Sequence, residues 1–289
     1  MTEKQFLKSY NIENYERPSV STDICTFSAM NDSNENLRKD SDKQLGILLI
    51  KRADYPFKDY WALPGGFMKK GEDAKDAALR ELKEETGVRG AYLNYLGMFA
   101  NPERDPRGWI VSNAFYALIE AGEYRIHAST DAREAKWFSL DFKEKKTSER
   151  QLANGYVKKY KYVLTLESDT DILSAELVNE VRYERFHSNQ KLTIVQNNGL
   201  AFDHAMIITE AFLKLKEETL RDERVIFDLL PEKFTFNELQ KTVEMITGES
   251  LIVPNFRRKI AHLLIPTDEM YDDAGHRPAR YYTRNIKIF

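Results

Sequence analysis

The stretch from Gly66 to Val88, GFMKKGEDAKDAALRELKEETGV, limits what this chain can fold into more than any other part of it. Its second half reads as an amphipathic helix. Ala74, Ala78 and Leu82 repeat at i, i+4 and i+8, giving an apolar side to pack against a sheet. Gly71 or Glu72 stands where an N-cap is needed, Asp73 suits the positive first turn, and Gly87 suits a left-handed stop. Glu81, Glu84 and Glu85 lie three and four residues apart, so their carboxylates share a face. Such an anionic patch is costly to a helix unless a cation neutralises it. Carboxylate oxygens with room for water are what Mg²⁺ takes, usually together with substrate phosphates. Gly65 and Gly66 allow close backbone approach, and a carbonyl there can add a further metal ligand. The plain alternative is a Glu-rich surface helix with solvated charges. Gly66, Glu72 and Gly87 in register argue against it.

The full pattern is Gly66, five residues, Glu72, seven residues, then Arg80-Glu81-Leu82-Lys83-Glu84-Glu85-Thr86-Gly87-Val88. Position by position it resembles the signature of the MutT-like Nudix hydrolases. The resemblance implies an α/β (α+β) fold, a Nudix α/β/α sandwich with a mixed sheet. It also implies hydrolysis of a nucleoside diphosphate linked to a group X, with Mg²⁺, or Mn²⁺, as cofactor. Glu81, Glu84 and Glu85 would then hold metal, with a carbonyl at Gly66, and one carboxylate would accept a proton from the attacking water. Arg80 would orient the cluster and Glu72 would tie loop to helix. ADP-ribose hydrolases of the family often carry a proline past the signature, and Pro102 and Pro106 fall near that place. Arg104 and Arg107 are candidate contacts to the diphosphate or ribose. Phe57, Tyr60 and Trp61 are candidate stacking partners for adenine. Surface roles for the arginines and loop packing for the aromatics compete with those assignments.

At 289 residues the chain is too long for one small domain. Its 42% hydrophobic share and net charge of −3 are those of an ordinary globular protein and favour no nucleic-acid role by themselves. No apolar run is long enough to cross a membrane, and the polar N-terminus lacks a signal-peptide core, so a cytoplasmic location is expected. The single Cys25 excludes an internal disulfide framework and reads as a buried structural thiol.

Residues 1–145 are assigned to the Nudix-like domain, with strands at 18–28 and 45–51 and in AYLNYLGMFA, WIVSNAFYALI and AKWFSL. The charged segment 144–155 reads as its turn-rich edge. Residues 146–198 read as a β-rich connector or elaboration, with strands around a short acidic helix in DILSAELVNE. From 199 to 289 the pattern becomes a long amphipathic helix (FDHAMIITEAFLKLKEET), a shorter one at RVIFDLL, and a third helix. That third helix opens on a Thr235-Phe236-Asn237-Glu238 capping box and closes at Gly248. A basic helix, PNFRRKIAHLL, follows, with Phe256, Ile260 and Leu263 inward and Asn255, Arg257, Arg258 and Lys259 outward. A hairpin ends the chain. This order describes a winged helix-turn-helix domain.

In such a domain the last helix enters the DNA major groove, where Arg reads guanine, Asn reads adenine and Lys meets phosphate. Asn255, Arg257, Arg258 and Lys259 are the candidate readers, with His276, Arg277, Arg280 and Arg284 on the wing. Acidic and basic residues roughly balance across the domain, so a role in dimerisation or partner docking stands beside DNA binding. Five further segments sharpen the likeness: RDPRGW (104–109), LAFDHAMII (200–208), LLPEKFTFNELQ (229–240), NFRRKI (255–260) and AGHRPARYY (274–282). With them the chain resembles the Nudix-related transcriptional regulators of NAD metabolism. That resemblance implies a homodimer that binds operator DNA and responds to ADP-ribose or a related nucleotide, with no membrane partner. In several such regulators the Nudix signature is degraded, whereas here it is intact. Two functions follow: a nucleotide-responsive regulator that retains hydrolysis, or an ADP-ribose pyrophosphatase-like hydrolase whose winged helix only dimerises or docks partners.

Overall fold

The computed structural model describes residues 1–31, 43–120, 122, 132–271 and 278–288. Helix α1 (Glu3–Ser9) and a 3-10 turn (Ile12–Asn14) bury no side chain. They are followed by β1 (Ser19–Asn31), β2 (Lys43–Arg52), β3 (Trp61–Ala62), β4 (Gly65–Phe67) and α2 (Ala74–Thr86). Then come β5 (Leu93–Phe99), β6 (Ile110–Leu118), β7 (Ala132–Leu152), β8 (Gly155–Glu167), β9 (Ile172–Glu184) and β10 (His187–Asn198). The C-terminal part holds α3 (His204–Arg221), a 3-10 segment (Glu223–Leu229), β11 (Phe234–Thr235) and α4 (Phe236–Thr247). It ends with α5 (Val253–Ile260), a 3-10 turn (Ala261–Leu263), β12 (Leu264–Tyr271) and β13 (Ala279–Arg284).

Strands β1 to β10 form one mixed sheet in the order β10-β9-β8-β7-β2-β1-β6-β5, with β3 and β4 added to β2 and β1. β1 and β6 run parallel, while β1 and β2 run antiparallel. Alternation along these strands sends side chains to opposite faces. Ile24 and Leu48 pack against Ala78 and Leu82 of α2 on one face. Cys25, Phe27, Ile47 and Leu49 belong to a larger core on the other face, which contains Ala205, Ile208, Phe212 and Leu215 of α3. The sheet is therefore sandwiched between α2 and α3, a mixed α+β arrangement. Cys25 is fully buried, which pushes its thiol pKa up.

Three local expectations are corrected. DILSAELVNE is not a helix but most of β9, because Leu173, Ala175 and Leu177 alternate inward and both neighbouring strands pair with it. Residues 144–152 are not a turn-rich edge but the end of β7, held in register against β8 as far as Leu152 and Gly155. The helix at RVIFDLL is a 3-10 segment. The 146–198 region thus extends the main sheet, and α3, expected to open the second domain at 199, covers that sheet.

The winged helix-turn-helix is present. Thr235 and Glu238 form the capping box of α4, and Gly248 ends it at φ 71°. α5 buries Phe256 and Ile260, Leu263 follows them inward, and β11, β13 and β12 form the small wing sheet. Phe256, Ile260 and Leu263 share one apolar core with α3 and the main sheet.

Leu164 on β8 is fully buried in that core. Leu164→Ala is expected to lower the unfolding free energy by about 2–5 kcal/mol, read by urea titration. A loss below about 0.5 kcal/mol would mean that the 146–198 strands add nothing to the fold.

Candidate functional site

Asp73 caps α2, its side chain accepting from the Asp76 N–H, so the N-cap is Asp73 rather than Gly71 or Glu72. It ends at Gly87 in the left-handed conformation, φ 81°. Arg80 sits at the centre of the signature residues. Its Nε and Nη2 donate to Glu72 at 2.7 and 2.9 Å, and its Nη1 donates to Glu81 at 2.5 Å and Glu84 at 3.2 Å. The Phe67 carbonyl accepts a further bond from Nη2. Glu72 also accepts from the Lys69 N–H, and with Arg80 this holds its pKa down to about 2. These bonds join Glu72 in the loop to Arg80 on the helix, and Arg80 in turn to Glu81 and Glu84. Glu85 stands apart, buried, and accepts from the Gly65 N–H at 2.7 Å. A Cβ on Gly66 would lie 2.6 Å from the Glu81 carboxylate, so any other residue there would push that carboxylate from its place on Arg80.

Gly65, Gly66 and Phe67, which bond or abut these side chains, line a cleft of about 140 Å³ together with Asp23, Arg52, Arg104, Arg107, Phe202 and His204, among others, while Arg80 and Glu84 face a separate surface depression. A larger groove, about 740 Å³, runs between Gly90–Tyr92 and the wing but contains none of the signature residues. The predicted pocket residues fare unequally. Arg107 stays at the cleft, paired to Asp105 at 2.7 Å, with its guanidinium 5.1 Å from the Phe67 ring and 5.5 Å from the Phe202 ring. Arg104 is not free for a ligand. Its side chain is 4% exposed and is bonded to both Asp203 oxygens at 2.8 and 3.0 Å and to Asp23 at 3.2 Å.

Trp61 is a correction too: it is a core residue at 2% exposure, edge-on to Phe138, with its indole N–H bonded to Asp171. It cannot stack on a nucleobase, because β3 turns it into the sheet core. Phe57 is half-buried against Phe202, ring centroids 4.7 Å apart, and Tyr60 is exposed beside it.

Sequence reading missed Arg52, Asp23 and the Phe202–His204 triplet. Arg52 lies 4.9 Å from the Phe202 ring, and burial together with the nearby Arg107 lowers its pKa. The His204 Nδ1 accepts from the Leu63 N–H at 2.8 Å, and burial lowers the pKa of the ring. The available signal was LAFDHAMII itself, a buried-looking helix start carrying an Asp and a His.

In the second domain, Asn255, Arg257, Arg258 and Lys259 are all exposed, as their helical spacing predicts. Arg257 lies 4.4 Å over the Phe236 ring, Arg258 donates to Asn255 at 2.6 Å, and Lys259 pairs with Glu223. Arg280 is exposed on β13, and Arg284 pairs with Asp228 at 3.0 Å. His276 and Arg277 lie outside the described residues.

Comparison with known families matches residues 37–155 to the NUDIX domain and residues 226–283 to the NrtR DNA-binding winged helix domain. The chain joins a Nudix domain to an NrtR-type winged helix. It is 28% identical over 284 residues to the ADPR responsive transcriptional repressor NtrR of Acinetobacter baylyi, covering 97% of this chain and 88% of that protein. Over 100 residues it is 45% identical to the ADP-ribose pyrophosphatase of Methanocaldococcus jannaschii, 35% of this chain and 58% of that enzyme. The crystal structure of Shewanella oneidensis NrtR complexed with a 27mer DNA superposes with a TM-score of 0.60 at 27% identity, covering 92% of this chain and 93% of that one.

Nudix hydrolases use Mg²⁺ or Mn²⁺, and the donors here are oxygen atoms of the kind such ions take. Among the described residues, however, no three acidic, histidine or cysteine side chains converge as a ready metal site. Arg80 holds Glu81 and Glu84, and Glu85 is turned to Gly65. Burial raises the Glu85 pKa to about 8, the Gly65 N–H opposes the shift, and the Glu81 and Asp23 carboxylates add to it. A cation would relieve that crowding, so the residues of the Nudix box fit the ion.

The sign of the resulting pH dependence is fixed. In the metal-free chain the folded state keeps the Glu85 proton up to about pH 8, whereas the ordinary value is 4.5. The folded state binds more protons across that window, so this contribution is full below it and is lost as pH rises through it. Glu85→Gln, neutral at every pH, is expected to gain stability over wild type from pH 5 to 8, by at most about 1.4 kcal/mol per pH unit. Urea unfolding in the presence of a chelator measures this, and parallel pH profiles for the two proteins would contradict the assignment.

Proposed function

We propose that this chain is a transcriptional regulator that responds to ADP-ribose in its Nudix cleft and binds operator DNA through α5 and the wing. The observation that carries the reading is the joining of both modules on one core, alike over nearly the whole chain to an ADPR responsive repressor. Arg52 and Arg107 give the cleft two guanidiniums for a diphosphate. Phe57, Phe67 and Phe202 supply apolar surface for the rest of a nucleotide. Asn255, Arg257, Arg258, Lys259 and Arg280 are the proposed DNA contacts, together with His276 and Arg277. A homodimer would read two half-sites, and such a role belongs in the cytoplasm.

We further infer that the Nudix box retains hydrolysis of its ligand. Glu81, Glu84 and Glu85, with Gly66, would hold Mg²⁺, which when bound offsets charge on the diphosphate. Arg80 fixes Glu81 and Glu84 in place, and one carboxylate of the set, Glu85 when ionised, would accept the proton of the attacking water. The intact box and the identity to an ADP-ribose pyrophosphatase favour a second reading, in which hydrolysis is the main activity and the winged helix serves dimerisation or docking.

Paired assays separate the two. Anisotropy with the chain's own upstream DNA is expected to show binding that weakens with salt and changes on adding ADP-ribose. Arg257→Ala should weaken that binding by about 1–3 kcal/mol. DNA binding that is absent or insensitive to salt would remove the regulator reading. With ADP-ribose and Mg²⁺, AMP release is expected from wild type and a fall of about 100-fold or more in Glu85→Gln. No AMP from wild type would remove the hydrolase claim.

A further inference from the structure

Three consecutive residues at the start of α3 each meet a different wall of the cleft. The Phe202 ring lies under two guanidiniums, Arg52 at 4.9 Å and Arg107 at 5.5 Å. Asp203 gives both carboxylate oxygens to Arg104. His204 accepts from the backbone of Leu63, two residues before Gly65. Asp203 occupies the N-cap position of α3 yet makes no capping bond, so its carboxylate serves the cleft instead of the helix. Phe202 stands at φ 50°, a left-handed conformation that a phenylalanine adopts only when its surroundings hold it there.

The far side of the same helix reaches the DNA-binding half. α3 has 18 residues, about 27 Å of rigid rod. Its Phe212 and Leu215 lie in one core with Leu239, Val243 and Ile246 of α4 and Phe256 and Ile260 of α5. A shift at the first turn of α3 is therefore carried into the packing beneath Arg257 and Arg258.

A diphosphate entering the cleft competes for the contacts that hold Phe202. Arg52 and Arg107 are two like charges over one ring; Arg107 keeps its Nε and Nη2 on Asp105 and Arg52 its Nε on the Pro56 carbonyl, and an anion between them takes their remaining donors in place of the ring. A ligand shifts a conformational equilibrium only through contacts that differ between the two states, and this is such a contact. Building on the regulator reading above, we propose that Phe202, Asp203 and His204 are the coupling element between ligand and DNA. Arg52 and Arg107 are the arms that sense the ligand's diphosphate.

The test measures, on the full chain, the ratio of operator affinities with and without saturating ADP-ribose, in a chelator so that the ligand is not consumed. Saturation is established separately for each variant, which removes loss of ligand affinity from the ratio. Wild type is expected to show a ratio of about fivefold or more, with DNA changing ADP-ribose affinity by the same factor. Phe67→Ala removes the other ring under Arg107, on β4 and away from α3. It should need more ligand but keep the wild-type ratio. Phe202→Gly suits the left-handed backbone and removes the ring. Its ratio should fall to within about twofold of one. Asp203→Asn keeps the side chain's size while removing the charge and the second oxygen that fix Arg104 to α3, should lose coupling likewise, and decides the matter if Phe202→Gly does not fold. A wild-type ratio in Asp203→Asn and in any folded Phe202→Gly overturns the coupling element alone. A ratio of one in wild type overturns the regulator reading, and the coupling with it.

Discussion

One apolar core runs from the main sheet through α3 into the winged helix, and the other features of the molecule depend on it. Phe27, Ile47 and Leu164 of the sheet share it with Ile208 and Leu215 of α3, Leu239 of α4 and Ile260 of α5. Protein interiors are close-packed, so a rearrangement on one side of such a core cannot be absorbed locally. The Nudix sheet needs a helix on the face opposite α2, and α3 is that helix. The winged helix needs a first helix for α4 to pack on, and α3 is that one as well. A single element thus satisfies two domains and joins them through one continuous core.

The second constraint is electrostatic. Glu81 and Glu84 on the helix and Glu72 in the loop before it would repel one another, and Arg80 makes their proximity tolerable with a planar guanidinium that bonds all three. A lysine there would supply the charge but not the geometry. Glu85 has no such partner, and it alone is buried and held protonated. The box therefore contains two kinds of carboxylate: a group fixed by Arg80, and one poised to ionise when a cation arrives.

The parts of this arrangement that were legible in the sequence are those governed by local rules. The spacing of Gly66, Glu72, Arg80 and Gly87, the capping box at Thr235 and Glu238, and the inward face of Phe256 and Ile260 each depend on residues within a few turns. What escaped depends on partners far along the chain. DILSAELVNE has composition suited to a helix, but β8 and β10 supply hydrogen bonds on both sides and make it a strand. Arg104 reads as a ligand contact until Asp203, 99 positions away, takes its guanidinium. Trp61 reads as a stacking platform until the sheet closes over it. Arg52 carried no signal at all, since one arginine at the end of an apolar strand is usually an ordinary edge residue.

The double role of α3 was hidden by the same physics. Its apolar stripe says that it packs on something, but a hydrophobic stripe does not name its partner. Only the first turn held the clue. A helix preceded by Asp should be capped by it, and here the carboxylate instead gives both oxygens to the buried Arg104, a charged bidentate pairing stronger than a cap. An Asp and a His opening a long apolar helix therefore imply that the helix start lies against a charged site. For this chain that site is the Nudix cleft, and the helix that leaves it is the one on which the DNA-binding half is built.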